Sequence, residues 1–180
     1  DHFDYIVVDE FHHAAASTYR KVLGHFEPKF LLGLTATPDR MDGQNLLDLC
    51  DGNLAFRVGL IRGITDDYLV PFRYFGIKDS VDFAPIPWRS GKFSSAELAQ
   101  AVETSSRAEQ VLREYRKHAP AEPRRTLAFC CSTTHADFMA HYFRFNGIKA
   151  AAVHSKSTSA PRAESLRALR TGELEIICAV

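Results

Sequence analysis

Short apolar runs alternate with longer amphipathic stretches along this 180-residue chain. Residues 5–8 and 30–34 are apolar runs, and polar residues follow each of them at once. Such runs are typical of parallel strands that are buried on both faces of a sheet. Residues 11–26, between them, carry apolar side chains at helical spacing. The pattern predicts a strand, a helix and a strand, followed by a polar loop.

The last third of the chain repeats this alternation most clearly. Strands are predicted at residues 126–131, 148–153 and 174–180. One intervening helix begins after a cap near Ser132, and the other spans residues 160–170. A β-α-β-α-β order with short loops predicts a parallel sheet with right-handed crossovers.

The middle of the chain has a weaker pattern. It predicts a short helix at residues 44–49, strands at 53–58 and 72–77, and an irregular connection at 83–95 that contains two prolines and a glycine. Residues 105–118 form one apolar face at helical spacing, which predicts a further helix.

Composition and charge exclude several function classes. The chain has 22 Lys plus Arg against 22 Asp plus Glu, and 46% of its residues are hydrophobic. This balance argues against a disordered acidic tail, a strongly basic nucleic-acid arm and a polybasic membrane anchor. No apolar run approaches the roughly 18 residues of a membrane span. We therefore expect a globular protein with no membrane partner.

The cysteines indicate a reducing compartment. Cys130 and Cys131 are adjacent, whereas Cys50 and Cys178 lie far from them, and this spacing fits neither a disulfide framework nor a zinc site. We expect a cytoplasmic protein. Because Cys130 and Cys131 lie in an apolar strand, they are predicted to be inert core side chains.

The sharpest chemical feature is Asp9-Glu10-Phe11-His12, at the predicted carboxyl end of the first strand. In open α/β sheets, ligands bind just outside such strand ends. Asp9 offers oxygen ligands suited to Mg²⁺, and Glu10 could orient and deprotonate a water that attacks a γ-phosphate. The alternative interpretation is that the two acidic residues only complement the dipole of the following helix.

A second polar segment, residues 35–38, follows the next predicted strand. The hydroxyls of Thr35 and Thr37 could hydrogen-bond the acidic residues at the end of the adjacent strand. A change at those acidic residues could then be passed on to the groups that this loop contacts. Pro38 prevents the strand from continuing.

Together, Val8-Asp9-Glu10-Phe11-His12 and residues 32–40 resemble motifs II and III of the DEAD/DEAH-box superfamily-two helicases. Their flanks look most like the branch related to type III restriction subunits. The resemblance implies that Asp9 coordinates Mg²⁺, that Glu10 activates the hydrolytic water, and that His12 couples the nucleotide to a second lobe. The coupling motif implied for the second strand end consists of Thr35, Ala36 and Thr37.

The same resemblance extends to the last third of the chain. Residues 129–132 resemble motif IV, and residues 154–155 resemble the turn that contacts nucleic acid in this family. The nucleic-acid contacts implied are Phe129, Ser132, His154 and Ser155. The fold implied is α/β, with RecA-like parallel sheets and helices on both faces. The expected organisation is a partial first lobe (1–72), a connecting region (73–104) and a truncated second lobe (105–180).

The resemblance implies ATP and Mg²⁺ as cofactors and nucleic acid as the partner, with DNA favoured over RNA. An ATP-binding P-loop needs G-x-x-x-x-G-K-[ST]. The only Gly-Lys pair is Gly91-Lys92, and it is followed by Phe93 rather than Ser or Thr. We therefore expect a core fragment, carrying motifs II, III and IV, that does not hydrolyse ATP by itself.

Two other functions remain open at this point. One is a non-catalytic domain that uses a helicase fold to bind nucleic acid or protein. The other is a metallohydrolase whose ligands are Asp9, Glu10, His12 and His13, since His and carboxylate side chains suit zinc or manganese. No His-Glu-x-x-His spacing supports the hydrolase.

Overall fold

The computed structural model describes residues 3–14, 17–38, 46–79, 81–89, 91–119 and 122–180. The chain divides into two compact units, Asp1–Tyr74 and Phe75–Val180. Each unit contains a parallel sheet.

The first unit is built on two parallel strands that are connected through a helix. Its regular elements are, in chain order, β1 (Tyr5–Val8), a 3₁₀ helix (Phe11–His13), α1 (Ser17–Phe26), β2 (Phe30–Gly33), a second 3₁₀ helix (Leu46–Cys50) and α2 (Leu60–Thr65). Tyr5 pairs with Phe30 and Val8 with Gly33. Because the strands are parallel, both of their carboxyl ends, and the loops that follow, lie at one edge of the sheet.

Strand β1 is buried on one face only. Ile6 and Val8 are partly buried, whereas Tyr5 and Val7 are 74% and 61% exposed. Strands at 5–8 and 30–34 were predicted correctly, but the prediction that the first is buried on both faces is wrong. Successive side chains of a strand point to opposite faces, and within the described residues only the Ile6 and Val8 side is covered.

Within its described residues, the second unit contains a short antiparallel hairpin, four helices and a three-stranded parallel sheet. Its elements are β3 (Trp88–Arg89), β4 (Lys92–Phe93), α3 (Ser95–Val102), α4 (Ser105–His118), β5 (Thr126–Phe129), α5 (Thr133–Phe145), β6 (Ala150–Val153), α6 (Arg162–Thr171) and β7 (Ile176–Ala179). The sheet order is β5-β7-β6. The β5-to-β6 and β6-to-β7 connections run in opposite directions across the sheet. Right-handed crossovers therefore place α5 and α6 on opposite faces.

Local signals in the sequence define the helix ends of this unit. The Ser132 hydroxyl accepts a hydrogen bond from the His135 amide at 3.0 Å, as the predicted cap of α5 requires. Thr104 caps α4 in the same way through the Arg107 amide, at 3.4 Å. After α6, Gly172 adopts φ 83°, a left-handed conformation that favours glycine.

The main core lies between this sheet and the helices α4 and α5. Its side chains are small or aliphatic on the sheet and larger on α5, where Phe143 is 2% exposed. The buried members are Ala108, Leu112, Ala136, Met139, Ala140, Phe143, Ile148, Ala150, Ala152, Ile176 and Cys178. This core fixes the position of the loops that follow β5 and β6.

Several predictions for the middle of the chain are wrong. Residues 53–58 and 72–77 form no strand, because within the described residues neither segment has a ladder partner. Their aromatic side chains are largely exposed, with Phe56 at 81% and Tyr74 at 85%. The connection at 83–95 contains the β3–β4 hairpin, and α2 was not predicted.

The predicted helix at 11–26 is instead the 3₁₀ helix and α1, and residues 15–16 lie outside the described residues. Of the predicted helix at 44–49, residues 44–45 also lie outside them, and the remainder falls in the second 3₁₀ helix.

The predicted fold class is confirmed: the chain is α/β, with parallel sheets flanked by helices, as in a partial RecA-like fold. Over the part of the chain that the structure describes, no helix is both long and apolar enough to cross a membrane.

Candidate functional site

The predicted acidic pair occupies a tight turn at the carboxyl end of β1. The backbone of Glu10 is left-handed, with φ 50° and ψ 47°. This conformation is uncommon outside glycine, and strained residues of this kind cluster at functional sites. The Glu10 amide donates a hydrogen bond to Asp9 Oδ1 at 2.9 Å. Both residues are exposed, so the turn presents two carboxylates to solvent.

Phe11 anchors this turn on the neighbouring strand. Its side chain is buried, and its amide donates to the Leu34 carbonyl at 2.8 Å. The ring lies directly over Gly33, where an added Cβ would stand 2.4 Å from Phe11 Cγ. The glycine therefore provides the space that lets Phe11 hold the acidic turn against β2.

His12 connects the acidic turn to the loop after β2. Its Nδ1 lies 3.1 Å from Thr35 Oγ1 and 3.3 Å from Glu10 Oε2. Thr35 Oγ1 also accepts a hydrogen bond from the Thr37 amide at 3.0 Å. The structure thus brings Glu10, His12 and Thr35 together, while Ala36 and Thr37 are exposed on the same loop. A contact from Glu10 through His12 to Thr35 joins the two strand ends.

The donor atoms at this edge fit magnesium better than zinc. Mg²⁺ prefers oxygen ligands and usually keeps several waters while binding one or two carboxylates, so the exposed carboxylate of Asp9 fits such an ion. The His12 and His13 rings lie 4.1 Å apart. Yet in the described ranges no group of three or more His, Cys, Asp or Glu side chains could hold a metal ion. The proposed ligand set of a metallohydrolase is therefore not assembled.

The predicted motif IV residues of the second unit have separate environments. Phe129, the last residue of β5, is 83% exposed. The Ser132 hydroxyl accepts from the His135 amide and lies 2.9 Å from Thr134 Oγ1, which donates to Glu103 Oε1 at 2.8 Å. Phe129 is thus available to a ligand, whereas Ser132 has a structural role as the cap of α5.

His154 and Ser155, the two predicted contact residues in the loop after β6, differ in burial. The His154 side chain is fully buried, and its Nε2 lies 3.0 Å from Asp137 Oδ1 of α5. Ser155 and Lys156 are exposed at the tip of the loop. The buried imidazole is therefore part of the support of the loop, and its exposed neighbours form the surface.

Two side chains of α5, Asp137 and His135, have environments that change their acidity. The hydrogen bond from His154 is the main reason that the pKa of Asp137 lies below its usual value. The pKa of His135 is also lowered, first by burial and then by the positive charge of Arg107. Asp137 is consequently ionised and His135 neutral at pH 7.

Cys131 is exposed, which contradicts its predicted burial in the core. It lies one residue before the cap of α5, beyond the end of β5, so it leaves the apolar strand. Its Sγ lies 3.4 Å from His135 Nδ1, but partial burial of the thiol raises its pKa. A protonated thiol is a poor nucleophile, so this pair does not resemble a catalytic dyad.

The sequence did not single out Asp137, Lys156 or Thr158, which the structure brings into the hydrogen bonds of the loop after β6. The run from Ser155 to Ser159 is rich in hydroxyl side chains around one lysine, a composition that suits phosphate oxygens and could have drawn attention to the loop. Asp137 gives no such signal, because its contact with His154 spans 17 positions of the chain.

Comparisons with known proteins identify the family resemblance. Residues 1–40 match the family described as type III restriction enzyme, res subunit. The chain is 28% identical over 181 residues to a 51.5 kDa protein of a Lactococcus phage, and the match covers 97% of this chain and 38% of that protein. It is 27% identical over 179 residues to the Saccharomyces cerevisiae protein named "Putative ATP-dependent helicase IRC3", which covers 96% of this chain and 26% of the yeast protein.

A third relative is the Type I restriction enzyme EcoAI endonuclease subunit of Escherichia coli, 28% identical over 160 residues, with 77% of this chain and 19% of that protein covered. The chain thus spans between about a fifth and two fifths of the length of these relatives. The predicted resemblance is confirmed: this chain is similar over nearly its whole length to a putative ATP-dependent helicase, and over residues 1–40 to the family of type III restriction enzyme res subunits.

Proposed function

We propose that this chain forms part of a nucleic-acid-stimulated ATPase motor, a helicase or translocase. The observation that carries the proposal is the contact of His12 Nδ1 with Thr35 Oγ1 at 3.1 Å and Glu10 Oε2 at 3.3 Å. It connects an exposed carboxylate to the loop of the next strand. A motor needs such a connection, because ATP hydrolysis at the end of one strand has to change the contacts that the protein makes with nucleic acid.

Glu10 is the proposed base for the attacking water. Its side chain is 63% exposed in a left-handed turn, so it can approach a ligand outside the sheet edge. A base of this kind orients the water and accepts its proton as the oxygen attacks the γ-phosphate. Asp9 would hold Mg²⁺, which when bound neutralises charge on the phosphate oxygens.

His12 is the proposed coupling residue. Its Nδ1 lies within hydrogen-bond distance of both the Glu10 carboxylate and the Thr35 hydroxyl, and a single ring nitrogen cannot make a linear hydrogen bond to both oxygens at once. A change in the position or charge of Glu10 would therefore alter the His12–Thr35 contact. Because Thr35 Oγ1 also accepts from the Thr37 amide, the change would reach the loop backbone.

DNA is the proposed partner. One family match and one relative are named as restriction enzymes, and cleavage by a restriction enzyme is a reaction on DNA. In the second unit, the exposed Phe129 ring could stack on a base, and the exposed Ser155 and Lys156 could meet phosphates. Such local contacts do not require a basic protein, which agrees with the zero net charge.

The isolated 180-residue chain is expected not to hydrolyse ATP, since none of its segments has the P-loop pattern. The proposal is therefore tested on the intact protein that contains this chain. ATP hydrolysis should increase when single-stranded DNA is added and increase less with RNA. Thr35→Val, which removes the hydroxyl that meets His12, should keep basal hydrolysis and lose most of the stimulation. An ATPase rate that is indifferent to both nucleic acids would contradict the proposal.

A further inference from the structure

The loop between β6 and α6 is held by several internal hydrogen bonds. His154 is at its centre: the His154 amide donates to Ser159 Oγ at 2.9 Å, and its Nδ1 accepts from the Lys156 amide at 3.2 Å. The Ser159 amide donates to the Lys156 carbonyl at 3.0 Å. The loop therefore closes on the buried imidazole and leaves Ser155 and Lys156 exposed.

These bonds also fix the tautomer of His154. Because Nδ1 accepts the Lys156 amide, the ring proton must be on Nε2, which then donates to Asp137 Oδ1 at 3.0 Å. The other oxygen of the same carboxylate, Oδ2, accepts from Thr158 Oγ1 at 3.2 Å. One side chain of α5 thus supports the beginning and the end of the loop.

We propose that Asp137 is a positioning residue that, through His154 and Thr158, holds residues 154–159 in the form in which Lys156 meets a nucleic-acid phosphate. This inference rests on the proposed function. Helix α5 is packed on the sheet through Ala136, Met139, Ala140 and Phe143, so it provides a rigid support for the carboxylate. The loop tip itself has no buried side chain.

If Asp137 acted only through its charge, it would weaken the binding of nucleic acid, whereas a positioning role strengthens that binding. A carboxylate near the loop repels phosphate, so its removal should strengthen binding if it had no positioning role. The positioning role predicts weaker binding. Asp137→Ala therefore separates the two effects by the direction of the change. Glu109→Ala, which removes one exposed carboxylate from α4, is the matched control for charge and for helix propensity.

The first measurement is the affinity of the intact protein that contains this chain for a fluorescently labelled single-stranded oligonucleotide at several salt concentrations. The affinity of a single strand falls with salt, and each lost phosphate contact reduces the steepness of log K against log salt by about 0.7. Between 1 M and 0.1 M salt, this is a loss of about fivefold in affinity. We expect this loss for Asp137→Ala and for Lys156→Ala, and no further loss for the double variant. Glu109→Ala should bind as well as the wild type or slightly more tightly.

The second measurement is hydrogen exchange of the Lys156 amide, which should become faster in Asp137→Ala and stay unchanged in Glu109→Ala. Unchanged exchange, or tighter binding by Asp137→Ala, would overturn the positioning role. Additive losses in the double variant would also overturn it, since the two residues would then act independently. If the wild type binds no oligonucleotide, the nucleic-acid role of the loop is refuted along with the proposed partner. The exchange measurement then still decides whether Asp137 orders the loop.

Discussion

Gly33→Ala should destabilise the first unit and displace the acidic turn. A Cβ at this position would stand 2.4, 2.5 and 2.7 Å from three carbons of the Phe11 ring. Carbon atoms in ordinary contact are roughly 3.5–4.0 Å apart, so the ring or the strand must move by about 1 Å. The ring is buried and the Phe11 amide is bonded to the Leu34 carbonyl, which restricts both movements. Overpacking of this kind costs about 1–3 kcal/mol.

The assay is hydrogen exchange of the β1 and β2 amides under native conditions, because the two units need not unfold together. Gly33→Ala should lower the free energy of opening by about 1–3 kcal/mol. The double variant Gly33→Ala with Phe11→Ala should lose less than the sum of the single variants, because the new methyl group enters the space of the missing ring.

Gly24→Ala is the matched control. Gly24 lies within α1, and an added Cβ there would have no atom within 4 Å apart from its chain neighbours and the backbone of its own helix. Alanine in a helix interior is favoured over glycine by about 1 kcal/mol, so this variant should be stabilised. If Gly33→Ala were as stable as the wild type while Gly24→Ala behaved as expected, the assigned packing of Phe11 on Gly33 would be refuted.

Two further predictions concern the second unit. Ser132→Ala removes the hydroxyl that accepts from the His135 amide, so it should lower stability in urea unfolding by about 1 kcal/mol; an unchanged midpoint and slope would contradict the capping role. The second is that stability falls as the pH drops below 6.5, because the pKa of His135 is lowered in the folded state and only the unfolded chain then takes up the proton. This contribution is at most about 1.4 kcal/mol per pH unit, and His135→Gln should reduce the pH dependence; an identical dependence in the variant would refute the assignment.

The predictable part of the fold is the part whose signals are local. The strands at 5–8 and 30–33 and the β-α-β-α-β order of the last third follow from short apolar runs that alternate with amphipathic stretches, and the cap at Ser132 follows from a hydroxyl before a helix. Residues 53–58 and 72–77 have strand-like composition, but a strand also needs a neighbour, which lies outside any local window. This is why both of those predictions are wrong.

The same distinction applies to the candidate site. Asp9, Glu10 and Thr35 could be named from strand ends, because parallel strands bring their carboxyl ends to one edge. The left-handed backbone of Glu10 and the fit of Phe11 over Gly33 depend on atomic packing, which the pattern does not contain. The roles assigned to these residues stay predictions until they are tested by substitution.

We propose that the Glu10 carboxylate is the general base for ATP hydrolysis in the intact protein. The direct test is the single-turnover rate of ATP hydrolysis, with saturating single-stranded DNA, for the wild type and for Glu10→Gln. Glu27→Gln is the matched control, since Glu27 is an exposed residue of the same unit with a positive φ of 42°, placed after α1 rather than at the acidic turn.

Loss of a general base typically lowers a rate by about 10²–10⁴-fold. We expect a loss in that range for Glu10→Gln, with ATP still bound, and a wild-type rate for Glu27→Gln. Equal rates for Glu10→Gln and the wild type would contradict the account.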